Sequence, residues 1–222
     1  MDSAVLQLLV LAGIAIFLIL RLRSVLGSRE GFEKPPVPTS RSGEALSGPR
    51  RDFEVIEGGV DTDITDHVED GSPMADALAR MKRAEPEFHV GDFLHGARQA
   101  YEMILMAFEA GDMDSLLPLL SRDVYESFME VVEMRENEGL TVEATFVGLR
   151  DVRIVAARFD EDRAEAEVSV RFEAELTSVV RDRENRIVEG DPNEIKRQKD
   201  VWTFSRKMGE NDPNWQLVAT GE

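Results

Sequence analysis

The order of periodicities along the chain predicts an α+β fold in which a long helix covers one face of a curved antiparallel sheet. Three observations carry this expectation. Phe93 to Ala110, FLHGARQAYEMILMAFEA, places Phe93, Ala97, Ala100, Ile104 and Phe108 at three- and four-residue steps, and Leu94, Tyr101 and Leu105 widen the same apolar face. From Ala164 to Leu176, AEAEVSVRFEAEL, the period changes to two: Ala164, Ala166, Val168, Val170, Phe172, Ala174 and Leu176 take one side, Glu165, Glu167, Ser169, Arg171, Glu173 and Glu175 the other. Helical patterns also come first and strands afterwards, so the layers are segregated rather than alternating.

The N-terminus is expected to be a membrane anchor. Residues 4–22 are apolar except for Gln7 and Arg21, with Leu8, Leu11, Ile14, Phe17 and Ile19 along the run. This approaches the roughly 20 residues that a helix needs to cross the hydrocarbon core. A cleaved signal peptide is the competing reading, but it wants positive charge before the run and small residues after it, whereas Asp2 precedes and RLRSVLG follows. Arg21, Arg23, Arg29 and Lys34 lie beyond the C-terminal end of the span, so the rest of the chain is expected on the cytoplasmic side of a bacterial inner membrane, as a single-pass protein. Residues 23–71, with KPPVPTSRSGEALSGPR at their centre, read as a solvated, flexible spacer. Within it Phe53 to Gly59 forms a small apolar island.

Ser72 and Pro73 form an N-cap and first helical position, opening a short amphipathic helix over residues 72–85 with Met74, Ala77, Leu78 and Met81 on one side. It reads equally as an arm that touches membrane or partner, helped by Arg80, Lys82 and Arg83, and as an arm packed on its own domain. Residues 88–222 form the main domain. The long helix has Asp92 as its expected N-cap and Gly111 as its stop. A helical piece interrupted near Pro118 and a helix from Arg122 to Asn137, closed by Gly139, come next. Val142 to Arg158 is the first strand, turning at Asp160 to Arg163 into the alternating one. Asp182 to Gly190 is turn-like, and Lys196 to Lys207 and Trp215 to Thr220 complete the sheet around a GENDPN turn. Folds of this shape commonly leave an apolar hollow between helix and sheet. Tyr101, Ile104, Phe108, Trp202, Phe204 and Trp215 are the residues expected to line it or to form an interface.

A net charge of −18 argues against nucleic acid as a partner, because phosphate binding depends on clustered Lys and Arg. The chain has no cysteine, and its three histidines, His67, His89 and His95, lack metal-ligand spacing, so neither a metal nor a cofactor is expected. No catalytic constellation stands out. The enzyme reading rests on fold analogy alone: a Tyr and an Asp in an apolar pocket can move a proton, and Tyr101, with Tyr125 second, is the candidate donor.

FLHGARQAYEMILMAFEAGDMDSLLPLLSRDVYESFMEVVEMR, followed by VEGDPNEI, DVWTFSRK and DPNWQLVAT, resembles the C-terminal domain of the Tim44-like family, the import-motor anchors of the mitochondrial inner membrane, and most of all its alphaproteobacterial members. The anchor followed by LRSVLG is similar as well. The resemblance implies a cystatin-like or NTF2-like domain, an apolar pocket and a non-enzymatic adaptor role in protein translocation or membrane-protein assembly. The implied partners are membrane lipid through the N-terminal helix, a translocase, chaperone or insertase protein, and a lipid or apolar peptide in the pocket. Against the family pattern, the chain is expected to be without the long basic chaperone-binding N-terminal region of the mitochondrial members. A ribosome or insertase receptor is the second reading, which so acidic a domain would have to fulfil through a protein surface.

Overall fold

The computed structural model describes residues 61–221. The anchor at residues 4–22, the apolar island at 53–59 and most of the expected spacer therefore lie outside the described residues. Among the described residues no helix is long and apolar enough to cross a membrane. The chain enters through α1 (Thr62–Thr65), then α2 (Pro73–Ala84), α3 (Val90–Ala110), α4 (Met113–Leu116) and α5 (Arg122–Glu138). The strands follow: β1 (Thr141–Asp160), β2 (Glu165–Arg181), β3 (Ile187–Gly190), β4 (Lys196–Lys207) and β5 (Gln216–Gly221). They form one antiparallel sheet ordered β1-β2-β4-β5, with β3 on β2.

Local chemistry accounts for most helix ends. Ser72 Oγ accepts from the Ala75 amide with Pro73 at the first position, and Ser121 Oγ accepts from Val124. α3 and α5 stop at Gly111 and Gly139 in the left-handed conformation, φ 74° and 72°, which glycine enters without a Cβ clash. The start of α3 departs from expectation. His89, not Asp92, holds the N-cap position and makes no side-chain cap. The carboxylate of Asp63 does the capping from α1, accepting from Val90 N at 2.9 Å and Gly91 N at 3.1 Å. Residues 61–71, placed in the spacer by their composition, are thus structured: Ile64 and Val68 are buried, and Asp61 and Asp63 both pair with Lys82. Composition missed this because the segment contributes few apolar side chains of its own and is held by charges met only in the fold.

The long hairpin carries the sheet. Val152 pairs with Phe172 and Ile154 with Val170, and register shifts at Phe146/Gly148, Leu149/Asp151 and Ile154/Ala156 bend β1 and increase its twist. On β2, Ala166, Val168, Val170, Phe172, Ala174 and Leu176 are buried, as the alternation requires. Residues 187–190, expected as part of a turn, form the short strand β3, with all four residues exposed. Their charged neighbours hid them. α3 lays Phe93, Ala97, Tyr101 and Ile104 into the core, and α2 buries Ala77, Leu78 and Met81 and packs along β1. Of the two readings of this helix, packing on its own domain is the one observed. Each large apolar side chain so buried contributes roughly 1.5–3 kcal/mol. The β5 edge is closed by main-chain bonds, Leu217 N to Leu119 O at 2.8 Å and Ser121 N to Leu217 O at 2.9 Å.

Candidate functional site

The expected hollow between α3 and the sheet is filled at the middle of the helix. The ring of Tyr101 stacks on Phe172 with centroids 4.3 Å apart and lies 4.5 Å from Trp202. Its hydroxyl donates to Asp200 Oδ2 at 2.5 Å, and Tyr101 is 0% exposed. Burial first, then the hydrogen bond to Asp200 and its negative charge, push the phenol well above its ordinary pKa, so Tyr101 stays a neutral donor. A Tyr and an Asp are therefore together, as a proton-transfer site would need, but the tyrosine is fully enclosed by its neighbours. The pair is a satisfied core hydrogen bond. Asp200 itself borders a polar hollow of about 740 Å³ shared with Glu109, Ser178 and Lys196.

An open groove lies instead on the flank of α3, beside the loop that leads into β5. Its volume is about 380 Å³. One wall is a single stripe of α3, Gly96, Ala100 and Met103, spaced four and three residues apart so that they stack on one face. The other wall is Leu119, Pro213 and Trp215, with Phe88 and Phe93 behind. The Phe93 ring centroid lies 4.7 Å from Trp215 and 6.1 Å from Phe204 in an edge-on contact, so the groove is a continuation of the aromatic core that comes to the surface. Trp215 is half-buried, and Met103 is 55% exposed.

Trp215 is held from below by Arg206. The guanidinium carbon sits 5.5 Å from the indole centroid, a cation–π distance. Arg206 Nη2 pairs with Glu85, Nη1 donates to Pro213 O at 3.2 Å, and Glu85 accepts a second bond from Gly209 N at 2.8 Å. Burial would raise the Glu85 carboxyl, but Arg206 and the Gly209 amide outweigh it and hold it below its usual value. The Arg206 side chain is only 9% exposed, and its buried Nε–H has no hydrogen-bond partner among the described residues. Among the described residues that line the groove, Glu85, Glu87 and Asp92 are acidic, and His89 and Arg206 are the basic types.

Gly96 has no internal reason to be glycine. A Cβ built there meets nothing within 4 Å, although glycine inside a helix is less stable than alanine by roughly 1 kcal/mol.

The structure places the six residues singled out from the sequence partly together in the core and partly apart. Tyr101, Ile104, Trp202 and Phe204 are buried, with Phe204 reaching the groove's inner wall. Phe108 packs on Phe128 at 4.4 Å under the Arg135 guanidinium at the other end of α3. Trp215 alone presents surface to the groove. Phe88, Gly96, Met103, Leu119 and the Glu85–Arg206 pair were not anticipated. The pair spans 121 residues and leaves no local signal, whereas a glycine on the polar side of a helical stripe was a signal available to be read. Among the described residues no group of three or more His, Asp and Glu side chains gathers to hold a metal ion.

The profile of the Tim44-like domain matches residues 74–222. The human mitochondrial import inner membrane translocase subunit TIM44 is 24% identical over 160 residues, covering 71% of this chain and 35% of that protein. The rat subunit of the same name is 23% identical with the same coverage. The chain spans about a third of the length of the curated relatives it matches. A solved structure, the intermembrane space region of the chloroplast protein ARC6, is 10% identical with a TM-score of 0.39, covering 58% of this chain and 94% of that one.

Proposed function

The chain belongs to the Tim44-like family, and from that premise we propose that it is a non-enzymatic adaptor of the bacterial inner membrane, tethered by residues 4–22 and recruiting a polypeptide partner in protein translocation or membrane-protein assembly. The observation that carries this reading is the groove at Trp215. A half-exposed tryptophan, in a groove shared with an exposed methionine and small helix residues, offers apolar contact area. Aromatic anchors and adaptable Met side chains are what recognition surfaces use. The relatives supply the setting, as mitochondrial import inner membrane translocase subunits. On this reading Arg21 and Arg23 keep the domain on the cytoplasmic face, and the cystatin-like or NTF2-like shape serves as a platform rather than a reaction chamber.

The test is site-specific photo-crosslinking in intact host membranes, with the reactive group at position 103. Covalent products with membrane-embedded or translocating polypeptides are expected. Recovery of nothing but unrelated soluble enzymes would sink the adaptor role. Protease added to spheroplasts should leave the folded domain intact; its removal would place it on the outer side.

A further inference from the structure

Two margins of the sheet are protected and one stretch is open. β1 is bent by three register shifts, and β5 is tied by the main-chain bonds of Leu217 to Leu119 and Ser121. β4 is different. It pairs with β2 in unbroken register from Lys196 to Lys207, but β5 covers it only from Val201 to Ser205, so among the described residues no strand lies on the outer side of Lys196 to Lys199. We infer that this open edge takes an added strand, an extended segment of another polypeptide with Asp or Glu at alternate positions. The site lies by Glu109, at the other end of α3 from the groove at Trp215, and it stands independently of that groove.

The polar hollow of about 740 Å³ lies along this edge. Successive side chains of a strand point to opposite faces of its sheet, so a hollow on one face alone would be lined by every second residue. This one is lined by Lys196, Arg197, Gln198, Lys199 and Asp200 in succession, with Leu176 and Ser178 of β2 beside them. It therefore follows the backbone of β4, on the side where main-chain groups not used by β2 are directed. Segments that add to a sheet edge bond to such groups, and their alternate side chains set the choice of partner.

Charge specifies that partner. On the outer face, Arg150 Nε and Arg197 Nε share one oxygen of Glu175, at 2.5 and 3.1 Å. Two cations meet one carboxylate, and the row ends on β4 with an Arg197 side chain that is 70% exposed. Two residues on, Lys199 pairs with Glu173 at 3.1 Å and is 68% exposed. A strand added to β4 brings its own side chains beside Arg197 and Lys199, and opposite charges on neighbouring strands attract. Lys196 to Lys199 holds three basic residues and no acidic one, the reverse of the chain's net charge of −18. The same cations turn away a second copy of this edge, since charged side chains on an edge strand keep like chains apart.

The experiment titrates the full chain in detergent micelles with three labelled peptides, following anisotropy and amide hydrogen exchange. One peptide alternates Glu with Val, the second has Lys in place of Glu, and the third has Pro in place of Val, which keeps the charge but removes main-chain donors. The Glu-Val peptide should bind and slow exchange at residues 196–199, and the other two should bind at least about tenfold more weakly. Arg197→Gln combined with Lys199→Gln should weaken the Glu-Val peptide by about tenfold or more with little change in melting temperature, because exposed ion pairs contribute little to stability. Equal affinity for any two of the peptides, protection at residues 96–103 in place of 196–199, or unchanged binding by the double variant would overturn the inference. So would a dimer of the chain protected at 196–199 without peptide, which would make a second copy the occupant. Crosslinks from position 103 to membrane polypeptides, combined with no binding of the Glu-Val peptide, would overturn it and leave the adaptor reading in place. Binding at the edge without any crosslink from position 103 would do the reverse.

Discussion

At Tyr101 and at Trp215 the same helix meets the same sheet through aromatic rings, and the two contacts come out differently. Tyr101 is enclosed by Phe172 and Trp202 and its one polar atom is bonded to Asp200. Trp215 rests on Phe88, Phe93 and the Arg206 guanidinium and also lines the open groove. The difference follows from where each residue sits. Tyr101 lies over β2 and β4 in the middle of the sheet, with pairing strands on both sides, whereas Trp215 stands at the start of β5, where the sheet ends and a loop must cover what remains. An aromatic layer that is continuous inside thus comes to the surface at its margin. No change of chemistry is needed, only loss of the last neighbour.

The sharpest way to break this comparison is to delete the enclosed ring. Tyr101→Ala should destabilise the domain by about 3–5 kcal/mol, the range for a large buried aromatic, measured by urea denaturation. Trp215→Ala should cost well under half of that; equal losses would mean that the two ends are energetically alike. Next comes Glu85→Ala, which leaves Arg206 buried without its carboxylate. It should cost about 2–3 kcal/mol and move the Trp emission to longer wavelength as the support under Trp215 loosens. An unaltered spectrum would show that Phe88 and Phe93 hold Trp215 without help from the Glu85–Arg206 pair.

Asp63→Ala should cost about 1–2 kcal/mol, since it removes the cap of α3 and a partner of Lys82. This contribution depends on pH with a definite sign. Burial opposes ionisation of Asp63, but Lys82 and the Val90 and Gly91 amides win and lower its pKa from 3.8 to about 2. A carboxyl depressed in the folded state stabilises it above the unfolded value and ceases to do so as pH falls through the folded one. The gap in stability between the parent and Asp63→Ala should therefore be full above about pH 4 and close toward pH 2. A gap that stays constant on acidification would contradict the capping role. The smallest effect has the opposite sign: Gly96→Ala should stabilise by up to about 1 kcal/mol, because the added methyl meets open space.

Much of the fold was legible from residue order. The α3 stripe, the Ser72–Pro73 opening, the Gly111 and Gly139 stops and the alternation on β2 are each decided by neighbours a few positions apart, so periodicity and cap chemistry recover them. The groove was scarcely legible. Trp215 was singled out for its size, while its partners Phe88, Met103 and Arg206 belong to segments remote in the chain and show nothing locally that ties them together. The error at the start of α3 has the same origin. Asp92 had the right residue type beside the helix start, but Asp63, from a segment that looked like spacer, reached the free amides instead.

The sequence by itself determined the α+β class, the helix ends set by their own caps and which face of β2 turns inward, because these depend on short-range sterics and on a repeat of two or of 3.6. The tertiary structure decided that Tyr101 is sealed and Trp215 is not, that α1 caps α3, and that Glu85 and Arg206 support the groove. Those outcomes depend on which distant side chains arrive at one place, and on where the sheet runs out of strands to cover them.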